Sequence, residues 1–276
     1  MTENIRICYE NRADDATLTA TSAALAVANL QDMQQQVVWS STSAAAQTIT
    51  IPLSVSRSIN CVGLMNHNLS SDATIRVQGA SDAGFTSVLF DTTYDALDPS
   101  FGWGEFPWGM VGWGGYSSEG WEYQFTVKWI TLTVARYWRL IITDTTNADG
   151  YVQAGRLILG QYWTPHANMQ WGYSLDWHDP SEVVRTRGGS WRSDNKTPYR
   201  VSSVHVRWLD VVEAAGVLEM ERQRGRRGDV LLSAYPNEGT TRERRNTLLG
   251  VLRDWSPSTH DFYGYNSVSF SIEESV

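Results

Sequence analysis

The chain of 276 residues has only two cysteines, Cys8 and Cys61. That is too few for the disulfide framework of a small secreted scaffold, and nothing in their spacing demands a bridge. Two buried free thiols are the expected state. Long apolar runs are missing as well: none approaches the ~18 residues of a membrane-spanning helix, and the N-terminal MTENIRICYE lacks the charged-then-apolar pattern of an export signal. Synthesis in the cytosol and a product without membrane insertion are therefore expected. Positive charge is scarce in the first part. Residues 1–180 carry 8 Lys/Arg against 17 Asp/Glu, and none of the basic residues lies between Arg76 and Lys128. Neutralising phosphates needs clustered cations, so nucleic acid is not expected as a partner. Residues 181–276 are nearly balanced, 14 against 13. Their one basic cluster, Arg222, Arg224, Arg226 and Arg227 with Arg242, Arg244 and Arg245, reads as a solvated or inter-subunit surface.

Catalytic signatures are absent too. No Gly-rich phosphate loop opens a helix, no Cys/His set has zinc spacing and no Gly-x-Ser-x-Gly elbow occurs. The five histidines are scattered. His67, between two asparagines in a turn, reads as a structural hydrogen-bonding residue, and His178-Asp179 as linker chemistry. Sequence cannot place two carboxylates across a cleft as glycoside hydrolysis requires. A non-enzyme is expected. Calcium needs six to eight oxygens. Asp144, Asn147 and Asp149 share a loop and could supply some of them, but an ordinary Asp/Asn/Gly turn is the favoured reading and no cofactor is expected.

What the chain does have is period-2 alternation. Its centre is residues 59–82, INCVGLMNHNLSSDATIRVQGASD, an apolar strand, a polar corner and a strand with Ile75 and Val77 on one face and Thr74, Arg76 and Gln78 on the other. Strands are expected over residues 5–9, 37–42, 46–53, 88–90, 125–134, 137–143 and 152–159, the last broken by Gly155. Ile130, Leu132 and Val134 should share the inner face of their strand. Residues 13–29 are Ala-rich but lack a sustained helical period, so extended chain is expected there. Such a series of short strands reads as an all-β sandwich or jelly roll.

The order of these segments carries a resemblance. Trp-Ser-Ser-Thr near residue 40, then QTITIPL, INCVGLMNHNL, TIRVQGASD, ARYWRLIITD and GYVQAGRLILG together resemble the galactose-binding-like (discoidin-type) jelly roll in the version found in tailed-phage tail proteins. The resemblance spans about residues 5–162, giving an expected first domain of 1–162. Within it, residues 99–123 form a Gly/Trp-rich insertion, with Trp103, Trp108, Trp113, Tyr116 and Trp121 among its aromatics. Each indole offers an apolar plane and one N–H. These five residues could dock a partner protein, stack on a glycan or pack on their own domain.

Residues 163–180 read as an aromatic linker with Pro165 and Pro180. A smaller α+β domain, 181–276, is expected beyond it. It begins with a strand ending at Gly188-Gly189 and continues with a long strand, 199–209, whose Val204, Val206 and Trp208 face one way. A helix from Val211 to about Gln223 follows, with Asp210 as cap and Glu213 completing a capping box. Val211, Ala214, Ala215 and Leu218 are its expected apolar face. Strands 229–235 and 265–273 end the domain. It resembles the tail-tube-like domain of distal tail and baseplate proteins, the segment Asp254-Trp255-Ser256-Pro257 being the most family-like. That resemblance implies a virion component at the tail tip of a long-tailed phage, made in the host cytoplasm. It further implies assembly with itself as a ring of three or six copies, and with tail tube, tape measure and tail hub. Arg207, Trp208, Arg226, Arg227 and Trp255 are the expected ring-interface residues. A carbohydrate-binding module contacting host surface glycan is the alternative.

Overall fold

The computed structural model describes residues 3–97, 124–238 and 240–275. Trp103, Trp108, Trp113, Tyr116 and Trp121 of the insertion lie outside them. The fold is mainly β, and the chain divides into two compact units, one of residues 10–162 and 239–244, the other of residues 1–9, 163–238 and 245–276.

The first unit is a sandwich whose two layers share their longest strands. Gln47–Met65 and Phe125–Thr143, 19 residues each, are antiparallel partners along most of their length. Residues 47–52 pair with 137–142, and 137–143 pair in turn with Thr74–Ala80, which holds Val88–Asp95 at the edge. After a register shift between Pro52 and Arg57, residues 61–65 pair with residues 125–129 on one side and with residues 156–160 on the other. The exposed corner 54–57 separates the halves. A strand that bends there can serve both sheets, because each half still alternates toward one core. That core gathers Ile49 and Ile51 from one half and Ile59, Val62 and Leu64 from the other, with Ile75, Val77, Trp138, Leu140, Leu157 and Leu159. Trp138, fully buried, lies opposite Ile51 and Gly79. A Cβ on Gly79 would stand 3.0 Å from the indole, so only glycine leaves room for the ring.

Continuity of these strands corrects the reading of separate segments. It also corrects the facing of Leu132 and Val134, which are exposed while Ile130 is buried. A second register shift, between Ile59 and Cys61, changes the phase of the pleat at this point. The Ala-rich stretch holds no α-helix. It contains a two-residue strand, Thr19–Ala20, and two 3-10 turns, Arg12–Asp15 and Val27–Gln31. Cys8 and Cys61 are both buried.

The other unit is an antiparallel sheet in the order Ser174–His178, Tyr199–Leu209, Tyr265–Glu274, Thr247–Trp255, Asp229–Ser233, Arg6–Asn11. Residues 163–180 are thus not a linker, since Ser174–His178 is an edge strand of this sheet. The N-terminal strand also departs from the expected 1–162 domain, because Arg6, Ile7 and Cys8 pair with Ser233, Leu232 and Leu231. Ile5 and Ile7 supply apolar surface to the core of Val204, Val206, Val230, Leu232, Phe270 and Ile272.

The helix Val211–Gln223 has the expected capping box, Asp210 accepting from the Glu213 N–H and Glu213 from the Asp210 N–H. Its buried face is Ala214, Val217 and Met220, while Val211 and Leu218 are exposed. The i, i+3 spacing of those three residues fits one face as well as the expected set does, and the larger Val217 and Met220 fill more core volume than Ala215. A second, short helix, Thr240–Arg245, has no sequence counterpart in the one-helix expectation. Trp208 faces away from Val204 and Val206: the register slips between Val206 and Leu209, Trp208 adopts φ +63°, and Leu209 takes the buried place.

Candidate functional site

Both described ends of the Trp-rich stretch are rooted in the buried loop end of the sandwich. Ala96 N donates to Ala73 O at 2.8 Å, and Gln124 O accepts from His67 N at 3.1 Å. Between them runs a chain of side-chain bonds. Leu69 N–H donates to His67 Nδ1 at 3.3 Å, which leaves Nε2 as the protonated nitrogen. Nε2–H donates to Thr126 Oγ1 at 2.8 Å, and Thr126 O–H donates to Ala96 O. Burial, and then the Arg244 guanidinium, lower the His67 pKa to about 3, against a smaller opposing effect of Asp144.

This neutral histidine gives a pH dependence with a definite sign. The folded pKa lies below the unfolded 6.5, so the unfolded chain binds the extra proton and stability is full above pH 6.5. It falls as pH drops from there toward about 3, by roughly 1.4 kcal/mol per pH unit. Denaturant unfolding of wild type and His67→Gln at pH 6 and pH 4 should show roughly 2–3 kcal/mol less acid sensitivity in the variant. Equal slopes would mean that the imidazole is not held neutral.

The neighbouring loop is closed by its own donors. Asp144 accepts from Ser70 N at 2.9 Å, Ser70 Oγ at 2.5 Å and Asn147 Nδ2 at 2.9 Å. Asn147 also donates to Asn68 O, and Asn68 donates to Asp149 Oδ2 and to Tyr151 O. The oxygens considered for calcium therefore face N–H and O–H groups, and among the described residues no cluster of three or more His, Cys, Asp or Glu is placed to hold a metal. Over its described residues, this end of the sandwich is a hydrogen-bonded mount.

A lock that the sequence reading missed lies nearby. Buried Arg156 makes two bonds to Asp14, at 2.6 and 2.8 Å. Asn11 completes it, accepting from Leu159 N at 2.9 Å and donating to Leu157 O at 2.8 Å and Asp14 Oδ1 at 2.9 Å. An arginine within the otherwise apolar Arg156-Leu157-Ile158-Leu159 was the available signal, since a charge that deep needs a partner.

The five expected ring-interface residues all belong to the other unit. Arg226 approaches Asp254 at 3.9 Å, next in sequence to Trp255, and both Arg226 and Arg227 are exposed. Trp255 lies flat on Phe270, with ring centroids 5.4 Å apart and planes at 20°, and its buried Nε1 has no partner among the described residues. It lines an open cleft of about 510 Å³ with His205, Ser203, Ser256, Ser269 and Asp254. Arg207 is half-buried, and Trp208, exposed, meets Tyr265 edge to face at 5.8 Å.

No family model matches the sequence, and none of the curated proteins compared with it does. Solved structures do show similarity. A chitosan-binding module from a chitosanase/glucanase of Paenibacillus sp. IK-5 is 21% identical, with a TM-score of 0.38 over 55% of this chain and 99% of that one. The lectin domain of lectinolysin, complexed with Lewis B antigen, is 15% identical, with a TM-score of 0.39 over 55% and 96%. A CBM32 domain from a family 31 glycoside hydrolase of Clostridium perfringens is 17% identical, with a TM-score of 0.39 over 54% and 94%.

Proposed function

We propose that this chain is a binding protein whose sandwich unit takes carbohydrate at its loop end. The observation that carries the reading is the hydrogen-bonded mount around His67, Thr126 and Asp144, which holds Ala96 and Gln124, the residues flanking the Trp-rich stretch. Sugar recognition uses apolar planes flanked by hydrogen-bonding groups, and the Trp-rich sequence between Ala96 and Gln124 supplies the residue types for it. Trp103, Trp108, Trp113, Tyr116 and Trp121 are then the contact residues, and no covalent chemistry is required of them.

The test is titration calorimetry of the full chain against a panel of neutral and amino-sugar polysaccharides, with Trp103→Ala, Trp108→Ala and Trp113→Ala. Loss of one stacking plane should weaken binding about tenfold, the equivalent of about 1.4 kcal/mol. If no member of the panel binds, or if all three variants bind as wild type does, the reading fails.

A second reading is a structural subunit of a phage tail tip, housed in the virion and assembled with itself and other tail proteins. It is supported by the resemblance of the two sequence segments and by a β-hairpin of the second unit, Glu182–Arg185 with Trp191–Asp194, on which Val183, Val184 and Trp191 are exposed. Native mass measurement with negative-stain imaging tests it, a closed ring of three or six copies being the expected result.

A further inference from the structure

The uncovered hairpin is the outer end of a longer arm. Ser174–His178 pairs with residues 199–203 inside the sheet, His178 facing Tyr199. Beyond that last pair the two strands leave the sheet and re-pair as Glu182–Arg185 with Trp191–Asp194, Glu182 facing Asp194 and Arg185 facing Trp191. Every residue of these two strands is exposed. Val183 and Val184 are neighbours in one strand and so point to opposite faces, yet both are bare, Val184 at 62% and Trp191 at 66%. A two-stranded ribbon with nothing on either face is marginal in water at best. Its apolar residues are covered by none of the described residues and fit a partner surface.

A matching surface lies at the far end of the same sheet. Trp208 and Tyr265 meet edge to face and are both exposed, and Val211 and Val212 follow on the first turn of the helix, Val212 at 79%. The charges are complementary. The arm beyond His178 and Tyr199 carries Arg185, Arg187, Arg192 and Lys196 against Asp179, Glu182 and Asp194, a net +1, and Arg187 and Arg192 make no ion pair among the described residues. The patch carries Asp210 and Glu213 against Arg207, a net −1. The arm leaves beside Tyr199 and the patch begins at Trp208, opposite ends of an 11-residue strand. At about 3.3 Å per residue these ends are roughly 30 Å apart, with the arm running outward from its own end.

We propose that the arm docks on the patch of Trp208, Val211, Val212 and Tyr265 in a second copy of this chain, joining copies head to tail. Donor and acceptor are different surfaces, so the contact is heterologous and each copy keeps one of each free until a ring closes. Trp191 is the anchor, with Val183 on its face of the ribbon and Arg185 stacked on the indole at 5.2 Å from its centroid. The inference rests on the assembly reading and is independent of the glycan reading.

The test uses sedimentation velocity and native mass on the full chain and on two variants, Trp191→Asp for the arm and Val212→Asp for the patch. Both sites are exposed, so folding is retained, and circular dichroism verifies it. Wild type should self-associate, and each variant alone should do so at least about 30-fold more weakly, the weight of a hot-spot side chain. An equal mixture of the two should recover a dimer and nothing larger, because it holds one intact arm-to-patch pair. A monomeric wild type, unchanged assembly in either variant, or a mixture without dimer would each overturn the proposal. Glycan binding by Trp191→Asp is expected to equal wild type, which keeps the two readings apart.

Discussion

Replacing Arg156 by alanine is expected to destabilise the sandwich unit by about 3 kcal/mol, the low end of the range for removing one partner of a buried ion pair. The arginine is fully buried and makes two bonds to Asp14, whose side chain keeps 27% of its exposure. That residual access to water is why the low end applies: the stranded carboxylate can still be partly solvated. In a domain of this size the change should lower Tm by roughly 6–12 °C. A double-mutant cycle sharpens the test. Arg156→Met with Asp14→Leu removes both charges and should cost clearly less than the two single changes together, because neither ion is left unpaired. Additivity in the cycle, or a single-variant loss below about 1 kcal/mol, would mean that the pair is not the lock described.

The second large effect belongs to Gly155. A Cβ at this position would lie 2.0 Å from the carbonyl oxygen of Gln35 and 3.1 Å from Cβ of Asn66. That carbonyl is already fixed, accepting from Asn66 Nδ2 at 2.7 Å, and Gly155 N donates to Met65 O at 2.9 Å. The backbone on both sides is therefore held, and neither atom is the loose end of a flexible side chain. Gly155 is not in the left-handed region, so the cost is all collision. Gly155→Ala should destabilise by about 3 kcal/mol, at the top of the range for overpacking. Gly150→Ala is the control. It sits at φ +76° with nothing within 4 Å of the added methyl, so its cost should stay near 1 kcal/mol. If both variants unfold at the same denaturant concentration, close approach is not what requires glycine at 155.

The strand halves with one buried face were legible in the sequence, since Ile49 and Ile51, and Ile75 and Val77, alternate as their burial does; Val268, Phe270 and Ile272 are buried as expected, but Ser271, expected outward, is buried between them. The capping box of Asp210 and Glu213 was legible because it is a local motif. Legibility failed where a bulge resets the pleat, because period 2 carries no memory across an extra residue: Leu132, Val134 and Trp208 all take the face opposite to the one expected. It failed again for long-range pairing. Nothing local announces that Ile7 lies opposite Leu232, or that Ser174–His178 is an edge strand rather than a connection. At the site, the structural role of His67 was readable from its place between two asparagines. Its link through Thr126 to Ala96 was not, because that chain of bonds joins residues 59 positions apart.

The two 19-residue strands shared by both layers also bear on how the sandwich comes apart. A sandwich of separate sheets can open like a book, one leaf loosening while the other holds. Here each leaf is the continuation of the other through the same two peptide backbones. Fraying that reaches the corner at residues 54–57 meets no boundary at which to stop, and it carries into the opposite sheet. The unit therefore has one level of protection against opening rather than two, and the loop end carrying His67 shares the fate of the farthest strand.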